Sequence, residues 1–188
     1  MFDERVPPEQ FATFEDWRRA TQVYQAELIR HHVEVLRRLK YRPAGGFCMF
    51  ALNDPAPVVS WSVLDHERRP KLGWEALRKA CAPVIVVADR PPDLVGAGDL
   101  LRMDVHVVND RREAVEPAVV DVTATWAGGS RHWRFGGGVG ADDCVRVGTL
   151  ELDVPDASGT LTIDLRLTAD GIDETNHYAT AITRTFGV

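Results

Sequence analysis

The chain has 188 residues, 45% of them hydrophobic and 27% charged, with a net charge of -6 and a pI near 5.5. This is the profile of a globular protein that can bury a sizeable core as one domain or one domain plus a piece of another, and it excludes a disordered chain. The acidic balance argues against nucleic acid as a partner, because that binding leans on clustered Lys and Arg.

The first ten residues, MFDERVPPEQ, are acidic and proline-bearing and lack the make-up of a signal peptide. No apolar run is long enough to span a bilayer. No membrane partner is expected; the compartment is unassigned, with a cytoplasmic site favoured.

From Thr13 the chain reads TFEDWRRATQVYQAELIRHHVEVLRRLK. Residues 14, 17, 21, 24, 28, 32, 35 and 39 form a stripe at three-to-four spacing, which predicts one long amphipathic helix. Thr13 followed by Asp16 is an N-terminal capping signature. Arg30, Arg37, Arg38, Lys40 and Arg42, interleaved with Glu27 and Glu34, read as a solvated face without a function of their own.

Gly45-Gly46 marks a hinge, and FCMFAL follows. That run is apolar on both faces, the pattern of a strand covered on both sides in a parallel sheet. A second helix is predicted around KLGWEALRKAC, with Pro70 in its first turn, Trp74, Leu77 and Cys81 on one face, and Pro83 as its stop. Helix, buried strand, polar loop and helix make the repeating unit of an α/β architecture. In barrels of that class the loop leaving the C-terminal end of a strand is where ligands meet the protein.

Beyond Pro83 the periodicity changes to short alternating strands: PVIVVAD, DLLRMDVHVVND, AVVDVTATWAG, RHWRFGG, CVRVGTLELDV, GTLTIDLRLTAD and TNHYATAITRTF. Turn signals separate them at Pro91-Pro92, Asn109-Asp110, Gly128-Gly129, Gly136 to Gly138, Pro155 to Gly159 and Asp170-Gly171. Seven such strands predict an immunoglobulin-like β-sandwich. The domain boundary is therefore expected at Pro83, with residues 1–83 forming an α/β part and residues 84–188 an all-β part.

The three cysteines, Cys48, Cys81 and Cys144, have neither zinc-site spacing nor the even count of a disulfide framework, and read as buried free thiols. Asp104 and His106 share one strand face with no third ligand nearby, so no metal and no cofactor are expected. Trp126, Trp133 and Phe135 could form an aromatic platform, but the alternation of Trp133 and Phe135 on one strand favours a core face.

The stretch from about 14 to 83 resembles glycoside hydrolase family 2, which includes β-mannosidases, β-galactosidases and β-glucuronidases. The residues that carry the resemblance are YQAELIRHHVEVLRRLKYRPAGG, then FALND, then P-x-x-x-W-S-V-L-D, then R-P-K ahead of an aromatic helix. The resemblance implies the tail of a (β/α)₈ barrel followed by an immunoglobulin-like sandwich. It implies further that Asn53, Asp54 and Trp61, with Phe50 beside them, sit at a mouth that binds a β-linked glycoside.

The chemistry agrees in kind, since an indole covers the C–H face of a sugar while amide and carboxylate groups meet its hydroxyls. An Asx turn before Pro55 accounts equally for Asn53-Asp54 on local grounds. Asp65 reads as a cap or ion-pair partner. β-Mannosidases of this type usually carry Trp-Gln before Leu-Asn-Asp, where this chain has Phe50-Ala51.

Retaining glycosidases need two carboxyl groups about 5 to 5.5 Å apart. In the resembled family both are glutamates on earlier barrel strands. Here Glu27, Glu34, Glu67 and Glu75 lie on or beside the two predicted helices, so no catalytic residue is assigned and the chain is expected not to hydrolyse glycosides alone. One strand with two helices cannot close a barrel. The remainder is expected from a larger polypeptide, a partner chain or a second copy. The rival expectation is a carbohydrate-binding or purely structural accessory module.

Overall fold

The computed structural model describes residues 2–183, the side chains from residue 4 onward. They fall into two compact units that divide between Ala82 and Pro83.

Unit 1 is helical: α1 (Phe2–Arg5), a 3-10 turn (Pro8–Gln10), α2 (Phe14–Arg38) and α3 (Leu72–Ala80). Helix α2 begins where the sequence says it should. The Thr13 hydroxyl accepts from the Asp16 amide at 3.1 Å and donates to the Asp16 carboxylate at 2.7 Å, so one otherwise unpartnered first-turn N–H is satisfied. The Trp17 indole N–H donates to the Val6 carbonyl at 3.0 Å and ties the N-terminal segment to the helix. α3 packs on α2 around Ile29, Val33, Val63 and Ala80, with Met49, Trp74 and Leu77 partly buried against them. Gly73 permits the approach, since a β-carbon there would lie 3.0 Å from Cδ1 of Ile29.

Several expectations for this unit need correction. The face of α2 that is covered runs through Ile29, Val33 and Arg37, and the expected stripe ends on Phe14 and Leu39, both exposed. The reason is economy of cover: a nine-residue α3 shields one side of a 25-residue helix. Glu34 and Arg37, expected on a solvated face, are buried. The Arg37 guanidinium donates to the Ala80 carbonyl at 2.5 Å, capping a C-terminal carbonyl of α3. Pro70 lies outside the second helix, whose N-cap is Lys71. Cys48 and Cys81 are exposed and Cys144 half-buried, so these thiols are not the buried ones expected.

The largest correction concerns FCMFAL. Residues 46–52 form no strand, and Phe47, Phe50 and Leu52 are exposed, Phe50 at 81%. A strand apolar on both faces needs a hydrogen-bonded neighbour at each edge and cover on each face. Among the described residues unit 1 gives this run only partial cover at Met49 and main-chain pairing at its last residue, Leu52.

Unit 2 is built from eight strands: β1 (Val84–Ala88), β2 (Leu94–Gly96), β3 (Leu100–Asn109), β4 (Val115–Trp126), β5 (Gly129–Val139), β6 (Asp143–Asp153), β7 (Gly159–Ala169) and β8 (Ile172–Thr183). They form two sheets, β1-β3-β6 and β2-β8-β7-β4-β5. All pairings are antiparallel except that of β2 with β8. The inward residues of both sheets meet in one core, including Met103, Val105, Leu150, Val122, Ile163 and Leu165, as the period-two alternation requires. The unit is thus a sandwich.

Seven of the eight strands fall on the seven runs read from the sequence, although β1 is buried at all five positions and does not alternate. The eighth, β2, has three residues, too few to show a period. The last residues of TNHYATAITRTF, from 184 on, lie outside the described residues. Two-residue turns close β4–β5 and β7–β8, with Gly128 and Gly171 at φ 95 and 65, a conformation glycine reaches without a Cβ clash.

Gly136 to Gly138 is not a turn but lies within β5, Gly137 pairing with Ala118 and Gly136 with Val119. The glycines face a register shift in β4 between Val115 and Ala118. A β-carbon on Gly138 would come within 2.9 Å of the Glu116 side chain, so there the missing side chain makes room for its neighbour.

Candidate functional site

The site lies within unit 1, on the segment that joins the exposed run to α3. Residues 52–71 fold back on themselves through main-chain hydrogen bonds. The Leu52 carbonyl accepts from the amides of Val63 and Leu64 at 3.2 and 2.9 Å, Asp54 N–H donates to the Leu64 carbonyl at 3.1 Å, and Lys71 N–H donates to the Val63 carbonyl at 2.9 Å. Asp65 closes the far end: its carboxylate accepts from the amides of Glu67 and Arg69, each at 2.8 Å. Asp65 is therefore a cap for the turn that carries Arg68 at φ 63.

At the centre of this loop is a buried ion pair. Lys71 Nζ lies 2.5 Å from Asp54 Oδ2, with the two side chains 7% and 1% exposed. The other carboxylate oxygen accepts from the hydroxyls of Ser60 and Ser62, and Lys71 Nζ also donates to Ser62 Oγ at 3.1 Å. Burial pushes the Asp54 carboxyl up, and the hydrogen bonds from Lys71, Ser60 and Ser62 outweigh it, so that its pKa lies below the ordinary value.

Between the two serines stands Trp61. Its main chain is held from helix α2, where the Gln25 amide donates to the Trp61 carbonyl at 2.6 Å and to the Ser62 carbonyl at 3.2 Å. The residue is 57% exposed. An exposed large aromatic on a backbone fixed at both neighbours is the opposite of a core tryptophan.

The indole borders a cavity of about 1130 Å³ whose lining is mostly apolar, including Phe14, Leu28, Phe47, Phe50 and Val58. Of the four residues expected at a sugar mouth, Phe50, Asp54 and Trp61 line this cavity and Asn53 does not. The Asn53 side chain instead donates to the Asp54 carbonyl at 3.1 Å; this is not the expected Asx turn, in which the side-chain oxygen accepts from the amide two residues on, because for Asn53 that residue is Pro55, which has no N–H. Lys71, Ser60, Ser62 and Gln25 were not singled out by the sequence. The signals were present as Ser-Trp-Ser and Arg-Pro-Lys, but no spacing rule says that a lysine ten residues beyond a tryptophan reaches back to an aspartate ahead of it.

Of the four glutamates weighed from the sequence, three are paired with a nearby arginine. Glu27 pairs with Arg30, Glu67 with Arg69 and Glu75 with Arg78, while Glu34 is buried. Among the described residues no group of three or more His, Cys, Asp or Glu converges as metal ligands would, and no helix is long and apolar enough to cross a membrane.

No family model matches the chain. It is 32% identical over 91 residues to β-mannosidase B of Thermothelomyces thermophilus, covering 46% of this chain and 11% of that protein. It is 37% identical over 68 residues to β-mannosidase B of Aspergillus niger, covering 35% of this chain and 8% of that one. Among solved structures, exo-chitosanase CsxA of Amycolatopsis orientalis superposes on 96% of this chain and 21% of its own, with a TM-score of 0.68 and 21% identity. The chain is similar to the C-terminal portion of family 2 glycoside hydrolases. It spans about a tenth of the length of the β-mannosidases it matches, and the likeness to the exo-chitosanase is one of fold.

Proposed function

We propose that this chain works as the C-terminal part of a family 2-type glycosidase acting on a β-linked glycoside. In this reading unit 1 is the tail of a (β/α)₈ barrel, with residues 46–52 as the segment that pairs into the barrel wall, and unit 2 is an immunoglobulin-like accessory domain. Trp61 and Phe50 offer apolar faces to a sugar ring, while Asp54 shapes the loop from beneath. The acid/base and nucleophile carboxylates come from outside this stretch.

The observation that carries the proposal is the exposed Trp61 indole on a doubly anchored loop, beside an apolar cavity that unit 1 leaves open. Indole faces bind sugar C–H surfaces, and a mostly apolar concavity with few polar groups is the usual form of a ligand site. The rival, a binding module that uses the sandwich aromatics, has less support: Trp126, Trp133 and Phe135 pack against the core of unit 2.

The test is saturation-transfer NMR on the full chain with methyl β-mannoside, β-glucosaminide and β-galactoside. The expected result is transfer to sugar C–H protons that Trp61→Ala removes and Trp133→Ala leaves. Transfer lost in Trp133→Ala and kept in Trp61→Ala would establish the rival.

A further inference from the structure

The buried Asp54–Lys71 pair is not explained by stability. An ion pair taken out of water regains in Coulomb attraction roughly what it lost in hydration, and replacing such a pair with apolar residues of similar volume is often neutral or stabilising. What charged groups supply that apolar ones cannot is direction.

Here the direction is specific. Asp54 spends one oxygen on Lys71, the N-cap residue of α3, and the other on the hydroxyls that immediately precede and follow Trp61. Gln25, from α2, holds the carbonyl of the same tryptophan. Contacts from the loop, from α2 and from the N-cap of α3 thus converge on Ser60, Trp61 and Ser62, the serines through their hydroxyls and Trp61 through its carbonyl. A loop with two prolines, Pro55 and Pro57, and no regular secondary structure would otherwise have many conformations.

We infer that Asp54 and Lys71 are positioning residues, which with Ser60, Ser62 and Gln25 hold the Trp61 indole in one pose before any ligand arrives. The inference rests on the proposed sugar-facing role only for its purpose; the clamp itself is a property of this chain. Asp54 then touches no ligand. A binding face already ordered does not lose side-chain and loop freedom on association, which is how pre-organisation raises affinity.

The test is 19F NMR of the full chain labelled with 5-fluorotryptophan, resonances being assigned by single Trp→Phe changes. In Asp54→Asn, the amide cannot accept from Lys71 and from both hydroxyls at once. The expected result is a shifted and broadened Trp61 resonance, with Trp74, Trp126 and Trp133 unchanged. Ser60→Ala removes a single hydroxyl, leaves the ion pair intact, and is expected to move Trp61 in the same direction by less. It also decides the matter if Asp54→Asn unfolds unit 1.

A Trp61 resonance unmoved in Ser60→Ala overturns the inference, as does one that moves only together with Trp74, which would make the network a general support of the unit. A clamp signature without any response to methyl β-mannoside, β-glucosaminide or β-galactoside would leave the positioning role standing and remove the sugar reading instead.

Discussion

Replacing Lys71 with methionine keeps the unbranched stem to within one atom of its length and deletes its charge. Asp54 is then a carboxylate with a side chain 1% exposed and no cation beside it. Removing one partner of a buried pair costs about 3–5 kcal/mol, because the other charge stays in a medium that solvates it poorly. Unit 1 has little to absorb this loss: its core cluster has four buried residues, Ile29, Val33, Val63 and Ala80, of which only Val63 is fully buried. Natural stability of roughly 0.05–0.15 kcal/mol per residue gives a unit of this size about 4–12 kcal/mol in all.

The measurement is amide hydrogen exchange by mass spectrometry on the full chain, read in peptides that cover 52–64 and α3. At pH 7 the opening free energy in Lys71→Met is expected to fall by about 3–5 kcal/mol, and the double variant Asp54→Asn/Lys71→Met to lose less than Lys71→Met alone. The pH dependence has a definite sign. The native pKa of Asp54 is depressed, so its stabilisation is present above the unfolded value, near ~3.9, and is lost as pH falls through the native one. Without Lys71 the native pKa rises, and the gap between variant and native protein narrows in acid. A gap below about 1 kcal/mol at pH 7, the range of an exposed pair, or one that does not narrow in acid, would refute the reasoning.

Two predictions concern the sandwich. A β-carbon on Gly148 would lie 2.2 Å from the ring of Phe135; Gly148→Ala should therefore cost about 1–3 kcal/mol by overpacking, read by chemical denaturation, and Phe135→Leu in the same chain should recover part of it. The Tyr178 hydroxyl accepts from the Ala88 amide at 3.1 Å and from Asn176 Nδ2 at 3.1 Å. Tyr178→Phe leaves a buried N–H unpartnered, at about 1–3 kcal/mol, and the exchange rate of the Ala88 amide should rise.

How much of this was legible in the sequence follows from where the information lies. Strand alternation is a local property, so LRMDVHVV and LTIDLRL declared their inner and outer faces and the sandwich followed from turn residues between them. The Thr13–Asp16 cap was equally local. FCMFAL was misread because its composition states what the run prefers to contact, whereas a strand also needs hydrogen-bonding neighbours. Arg37 and Glu34 were placed in solvent because helical spacing gives a face but not the short helix that covers it. Trp61 and Asp54 were singled out by resemblance, and both line the cavity of unit 1. Lys71 and the serines were missed because a buried ion pair that joins residues 54 and 71 leaves no periodic trace.

Whether this chain acts as part of a larger glycosidase assembly, as proposed, is tested most directly by its mass under native conditions in its source, by immunoblot of a native gel. The account predicts a species far heavier than 20.9 kDa that co-migrates with β-glycosidase activity. A native species at 20.9 kDa, separate from any such activity, would contradict it.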